Sequence, residues 1–370
     1  MSTTTDRNQW LDLWRALAVM LVVTSHSLNF VPGDTPLTVK ILFGYFGVEI
    51  FFCLSGYLIG GIFLDTIKRF DGAPLTLGRF MTRRWFRTIP NYYFYLAVNL
   101  IIASYSWSTP SPAILGKYLI FTQNLLAPHP AFFPEAWSLA IEEVFYFLLP
   151  LSFFVIWTIV RRPMTAFYGT LILLLSTSML LRYYGAVEAT NWDEQVRKVA
   201  LFRIDSLMWG VLLSILHRSV SRNRRNLLRV AACALAAGLP LAIYTVAHGF
   251  AWLNASFFAK FWLFPITSLA ICGVLLLGLH VKLPKLLGGA VAFIAKISYS
   301  MYLSNIAVLL VMIQLFGVGE SPSGRLLRVL VFFSVVIVVS TLTYYLIEKS
   351  FLRVRDKFIP ANETLQTART

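Results

Sequence analysis

Acidic residues are scarce in this chain, and so is charge of either sign. Of 370 residues, 17 are Asp or Glu against 32 Lys or Arg, and charged residues together make up 13%. A soluble domain of this length needs far more charge on its surface, so that class is excluded. Cysteine is equally thin. Cys53, Cys233 and Cys272 each lie inside an apolar stretch, which rules out a disulfide framework. No small-x-small cleavage site follows the first apolar run, and Asp12 and Arg15 interrupt that run, so it reads as a retained helix, not a signal peptide. There is no periodic repeat and no low-complexity linker. The longest segments expected outside the membrane, about 107–136 and 185–198, are too short to form a further domain.

What the chain has is apolar length. Hydrophobic residues make up 58% of it. Runs of about 20 residues, enough to cross a hydrocarbon core, fall near 10–30, 41–64, 88–107, 137–160, 164–184, 199–217, 228–247, 257–279, 291–316 and 327–347. The expected architecture is all-α: a polytopic membrane protein of about ten transmembrane helices, forming one integral membrane domain over 1–370. The spans occupy about 10–347 and a polar tail covers 348–370. The net charge of +15 comes in short clusters between apolar runs, which suits topology and anionic headgroups, not nucleic acid. The densest clusters are Arg79–Arg87, Arg218–Arg229 and Lys349–Lys357. With Arg7, Arg161, Arg162, Lys282 and Lys285 they share one side, which places both termini in the cytoplasm.

The stretch DLWRALAVMLVVTSH, from Asp12 to His26, is apolar enough to cross a bilayer and yet carries three ionisable groups. Such residues face a protein interior or a water-filled cavity and mark function. Arg15 and His26 are eleven residues apart, close to three helical turns. They share one helix face about 16 Å apart along its axis, with Asp12 beside Arg15 at i, i+3. Arg15 falls near the cytoplasmic surface and His26 towards the outer one. The simpler reading has Arg15 snorkelling to headgroups and His26 capping the helix end.

Six further groups of residues carry possible chemistry. Glu49, in FGVEIFFCLSGYLIG, is a structural ion-pair partner or a functional acid, and Gly56, Gly60 and Gly61 serve helix packing. Arg83, Arg84 and Arg87, in RRWFRTIP, suit bidentate contact with a polyphosphate or with lipid phosphates. Glu142 and Glu143, one turn inside the span that opens with Trp137 and Ser138, point in different directions. One can line a cavity as a base while the other meets a partner. Arg203 and Asp205 pair with each other or line an entrance. Lys296, Ser298, Tyr299, Tyr302 and Asn305 form a polar stripe along the ninth span, and Glu348 with Lys349 ends the last.

Taken together, these segments resemble the integral membrane acyltransferase-3 family. Arg15 and His26 match its first-helix signature, FFCLSGYLIG its second-helix motif, RRWFRTIP its cytoplasmic arginine motif and WSLAIEEVFYFLLP its tryptophan-serine-leucine motif. ISYSMYLSN and IEKSF are similar to its late motifs. The matches run in family order over almost the whole chain. Asn305 stands where the family often has histidine, and Ser350 where a proline often follows. No esterase-like domain is expected after the last helix.

The resemblance implies acyl transfer, usually of acetyl from a cytoplasmic acetyl-CoA, to a hydroxyl of an extracytoplasmic or lipid-linked polysaccharide. The expected setting is a bacterial inner membrane. On that basis the catalytic set is His26, Arg15, Glu142 and Glu143, with His26 as general base or transient acyl carrier and Glu142 or Glu143 orienting the imidazole or taking the proton. Arg83, Arg84, Arg87 and Arg15 hold the acyl-CoA. No metal is expected, and the partners are acyl-CoA, a glycan acceptor and the bilayer. A transporter or flippase is the competing class, and a small-molecule acceptor such as a macrolide is the variant of the first.

Overall fold

A computed structural model describes residues 8–31, 37–68, 74–106, 109–220, 224–278, 283–317 and 321–358, together with Phe70 and Gly72. Arg7, Arg222 and Lys282, used above to argue topology, and the polar tail from Pro360 lie outside the described residues. The order is α1 (Gln9–Ser27), α2 (Leu37–Lys68), α3 (Pro74–Ser106), α4 (Pro112–Leu119), α5 (Ala136–Val160), α6 (Pro163–Glu188), α7 (Ile204–Val220), α8 (Arg224–Ala255), α9 (Phe257–Phe261), α10 (Leu263–Leu277), α11 (Lys285–Phe316), α12 (Pro322–Thr343) and α13 (Lys349–Phe358). No strand occurs among the described residues.

Local chemistry explains many of the boundaries. The Asn8 side chain opens α1 by accepting from the amides of Trp10 and Leu11 at 3.0 and 3.2 Å. Pro112, Pro163 and Pro322 occupy first-turn positions, where a missing N–H costs nothing. Arg161 ends α5 in the left-handed region, at φ 55°.

Among the described residues, eight helices are long and apolar enough to cross a membrane, against the ten runs read from sequence. The two that differ have clear reasons. The run at 88–107 lies in the second half of the 33-residue α3 and is diluted by Pro90, Asn91, Asn99 and four tyrosines, which lower its hydropathy. The run from 257 breaks at Trp262 into a short α9 and a 15-residue α10. The α5 span begins at Ala136 and runs 25 residues despite Glu142 and Glu143.

The bundle is built around α2, which packs closely on α1 and α7, while α1 also lies along α11. The α2–α7 crossing depends on glycine. A Cβ on Gly56 would lie 1.9 Å from the Leu207 carbonyl, and one on Gly210 2.3 Å from that of Cys53. Small residues let the two backbones touch, as membrane helices require in the absence of a hydrophobic drive. On the other side of α2, α3 and α5 complete the wall with α11.

Two buried ion pairs pin these helices. Arg203 of the segment before α7 pairs with Glu49 of α2, and Arg182 of α6 pairs with Asp205 at 2.7 Å. Phe264 of α10 lies beside both guanidiniums, 3.8 Å from Arg203 and 5.5 Å from Arg182. Arg203 and Asp205 were expected to pair with each other or to line an entrance. Each instead takes a partner on a different helix, because residues two apart face opposite ways at a helix start.

The segment from Phe121 to Glu135 and the turn around Asp193–Arg203 close one end of the bundle together. The Asn124 side chain donates to the carbonyls of Trp137 and Lys198 at 3.0 and 2.6 Å, and the Ala200 amide donates back to the Asn124 carbonyl at 2.7 Å. Tyr118 donates to the Phe132 carbonyl. Phe121 and Phe133 are held at φ 59° and 46°, a region costly for bulky side chains, so the surrounding contacts dictate this path.

Candidate functional site

A cavity opens between α1, α2, α3, α5 and α11. Its walls include Arg15, Phe51, Phe52, Ser55, Arg84, Arg87, Thr88, Ser138, Glu142, Tyr146, Ser298, Tyr299 and Tyr302. Helix α11 serves as its ruler. Tyr299 donates from its hydroxyl to the Thr88 carbonyl at 2.9 Å, at the level of the arginines. Tyr302 meets the Ser138 hydroxyl at 2.6 Å one turn further on. Asn305 lies another turn along, so the ladder from Tyr299 to Asn305 rises about 9 Å.

The arginine cluster divides by face. Arg84, Arg87 and Thr88 stand at i, i+3, i+4 and enter the cavity. Arg83 is absent from the lining, and its charge meets Arg355 and Asp356 of α13 instead. Arg15 lines the cavity from α1 and pairs with Asp12 at 3.5 Å, the i, i+3 contact expected from their spacing. Among the described residues, neither Arg84 nor Arg87 forms an ion pair with a carboxylate. The cavity therefore holds guanidinium charge suited to anionic oxygen.

The adjacent glutamates diverge as their helix positions require. Glu142 faces the cavity and accepts from the Ser55 and Tyr146 hydroxyls at 2.9 and 3.0 Å. Glu143 is outside the lining and accepts from the Thr88 hydroxyl at 2.7 Å. Neither glutamate is hydrogen-bonded to His26, so the orienting role expected of them falls to another residue.

That residue is Asn305. Its side-chain nitrogen donates to the Met301 and Tyr302 carbonyls at 3.0 and 2.7 Å. Both of its donors are thereby used, and its oxygen is turned to Nδ1 of His26. An amide oxygen only accepts, so Nδ1 must carry the ring proton. The network thus assigns the tautomer, with the lone pair on Nε2. The ring is half-buried and points to α11, not to lipid. It lies one turn beyond the end of the cavity wall at Tyr302. Lys40, Arg197 and Lys198 bring positive charge near it. Arg197 stacks 4.8 Å over the Trp137 ring and pairs with Asp193 at 2.5 Å. Burial alone would raise the Asp193 carboxyl, but Arg197 and Lys198 hold it at about 2.

Among the other residues singled out from sequence, Ser298, Tyr299 and Tyr302 line the cavity, whereas Lys296 sits over the Tyr344 and Tyr345 rings. Glu348, at the end of the turn that follows α12, accepts from Ser300 at 3.2 Å and ties that turn to α11. Glu49 and Arg203 are packing pins away from the cavity. Two residues near the site escaped the sequence reading. His129 is buried under Tyr118, and burial, aided by the charge of Lys198, lowers it to about 3. Glu135, just before α5, is buried, and burial raises its carboxyl to about 8. A charge within the apolar run FFPEAW was the signal available for it.

The chain is similar in sequence to several bacterial proteins. A peptidoglycan O-acetyltransferase, OatA, of Listeria monocytogenes is 31% identical over 167 residues, covering 41% of this chain and 25% of the relative. A putative peptidoglycan O-acetyltransferase, YrhL, of Bacillus subtilis is 31% identical over 159 residues, covering 38% of this chain and 23% of the relative. An uncharacterized protein of Haemophilus influenzae is 28% identical over 210 residues, covering 50% of this chain and 82% of the relative. The match spans about a quarter of the length of the two acetyltransferases. No solved structure matches. A profile of the family described as acyltransferase domain matches residues 8–345. With nearly the whole chain inside that match, and the first-helix Arg15 and His26 held inside a membrane bundle, this protein belongs to the acyltransferase-3 family.

Proposed function

We propose that the chain is a membrane O-acetyltransferase, which moves acetyl from acetyl-CoA to a hydroxyl of an extracytoplasmic or lipid-linked polysaccharide in a bacterial cytoplasmic membrane. The observation that carries this reading is the Asn305–His26 contact, which leaves Nε2 as a free base one turn beyond a cavity bearing Arg15, Arg84 and Arg87.

In this reading Arg84 and Arg87 take the phosphates of the donor at one end, and Arg15 steadies the arm. Nε2 of His26 removes the proton of the acceptor hydroxyl as that oxygen attacks the thioester carbonyl. The C–S bond breaks, and the thiolate of coenzyme A takes the proton back from the imidazolium. The relatives named as peptidoglycan O-acetyltransferases support acetyl as the group and a glycan as the acceptor. Paired charges in a transporter would be expected across discontinuous helices of a repeated half. The sequence has no such repeat.

The test uses membranes holding the full chain, radiolabelled acetyl-CoA and cell-wall glycan. His26→Ala should cut transfer by about 10²–10⁴-fold, the usual worth of a positioned general base, with unchanged insertion. Normal transfer by that variant would end the reading.

A further inference from the structure

We propose that Lys40 holds an anionic group of the acceptor, a carboxylate or a phosphate, beside the imidazole of His26. This rests on the acyl-transfer reading above. It adds to that reading an acidic acceptor and the residue that recognises it.

The first argument is position. Lys40 lies in the opening turn of α2. Its main-chain carbonyl accepts from the Ser25 hydroxyl at 2.7 Å. Its ammonium donates to the side-chain oxygen of Asn29, and the Asn29 side-chain nitrogen donates to the His26 carbonyl at 2.7 Å. Lys40 is thus tied to the end of α1 on both sides of the histidine, and its charge is felt at the ring. A lysine at the end of a spanning helix ordinarily reaches out to the headgroups. This one is turned to the segment that carries His26. Lys40 and His26 both keep accessible surface. They stand at the end of the bundle away from Arg84 and Arg87, where an acceptor must arrive if the donor's phosphates occupy the other end.

The second argument is contrast among the cations at that end. Lys198 pairs with Asp193 at 2.8 Å and with Glu194 at 2.5 Å, and Arg197 pairs with Asp193 at 2.5 Å. Two cations and two carboxylates close on one another there. Lys40 has no carboxylate partner among the described residues. The amide oxygen of Asn29 occupies one of its three N–H groups and carries no charge.

The third argument is chemistry. A base that takes the acceptor proton becomes an imidazolium, and an uncompensated ammonium nearby opposes that new charge. An anion on Lys40 cancels the repulsion. The same contact holds the acceptor while its hydroxyl meets Nε2. A neutral acceptor gains neither benefit.

The experiment uses the full chain in lipid nanodiscs made with and without phosphatidylglycerol, radiolabelled acetyl-CoA and two probe acceptors. Chitotetraose is neutral. Chitotetraonic acid carries a carboxylate at its oxidised reducing end. The wild-type chain should show an acceptor KM about tenfold lower for the acid, the worth of one charge-assisted hydrogen bond. Lys40→Gln, whose amide can still donate to Asn29, should lose that preference in both lipids, and Lys40→Arg should keep most of it. Equal KM values for the two acceptors in the wild-type chain, or a preference that survives Lys40→Gln, overturns the proposal. So does an effect of Lys40→Gln seen only with phosphatidylglycerol, which marks a headgroup contact. Calorimetric binding of the acid without donor separates this proposal from the reading beneath it. If no sugar is acetylated, the acyl-transfer reading fails, and the anion site stands or falls on whether the acid binds and Lys40→Gln abolishes that binding.

Discussion

Two groups of arginines lie inside this bundle in opposite surroundings. Arg182 and Arg203 are each matched to a carboxylate, fully buried, and packed on the Phe264 ring. Arg84 and Arg87 stand in a cavity with Glu142 and several hydroxyls, without an ion pair to a carboxylate among the described residues. The first arrangement consumes its charge within the fold. The second leaves charge available to a ligand. A buried arginine is therefore informative about function only once its partner is known.

Breaking the matched pair should have the largest effect. Arg203→Ala strands Glu49 in the bundle and should cost about 3–5 kcal/mol, seen as poor accumulation or early thermal unfolding. Replacing both Arg203 and Glu49 with leucine should restore much of it. If Arg203→Ala were as stable as the parent, the distinction between pins and site would collapse.

Asn305→Leu removes the group that sets the His26 tautomer. Transfer should fall at least tenfold with the donor KM little changed, whereas a packing role would alter stability alone. On the cavity side, Arg87→Ala should leave the unfolding midpoint close to that of the parent. It should raise the donor KM by about 10–100-fold, the worth of one charge-assisted hydrogen bond of roughly 1.5–3 kcal/mol. Arg83→Ala, on the face turned to α13, should change donor KM far less.

An effect seen only in acid concerns the cap over the His26 end. His129 is neutral in the fold because burial lowers it to about 3, while an unfolded histidine titrates near 6.5. Between those values the unfolded chain binds the extra proton, so stability falls as pH drops below about 6.5. At pH 5 the loss is about 2 kcal/mol. His129→Phe should flatten that acid limb, measured as unfolding midpoint against pH, and an unchanged pH dependence would contradict it.

The all-α membrane class was legible from composition and run length, since only helices of some 20 apolar residues satisfy their own backbone in lipid. At the run near 257, apolar length alone does not reveal a break such as the one at Trp262. Relations within one helix were equally legible. Asp12 beside Arg15, and Glu142 diverging from Glu143, follow from 3.6 residues per turn.

Relations between helices were decided by the tertiary structure. The sequence does not state how far each helix is rotated about its axis, and that rotation chose Glu49 for Arg203, sent Arg83 away from the cavity and put Asn305 against His26. Glu135 shows the limit most clearly: it stands just before the α5 span, and only the packed bundle shows it to be buried with neither carboxyl oxygen hydrogen-bonded.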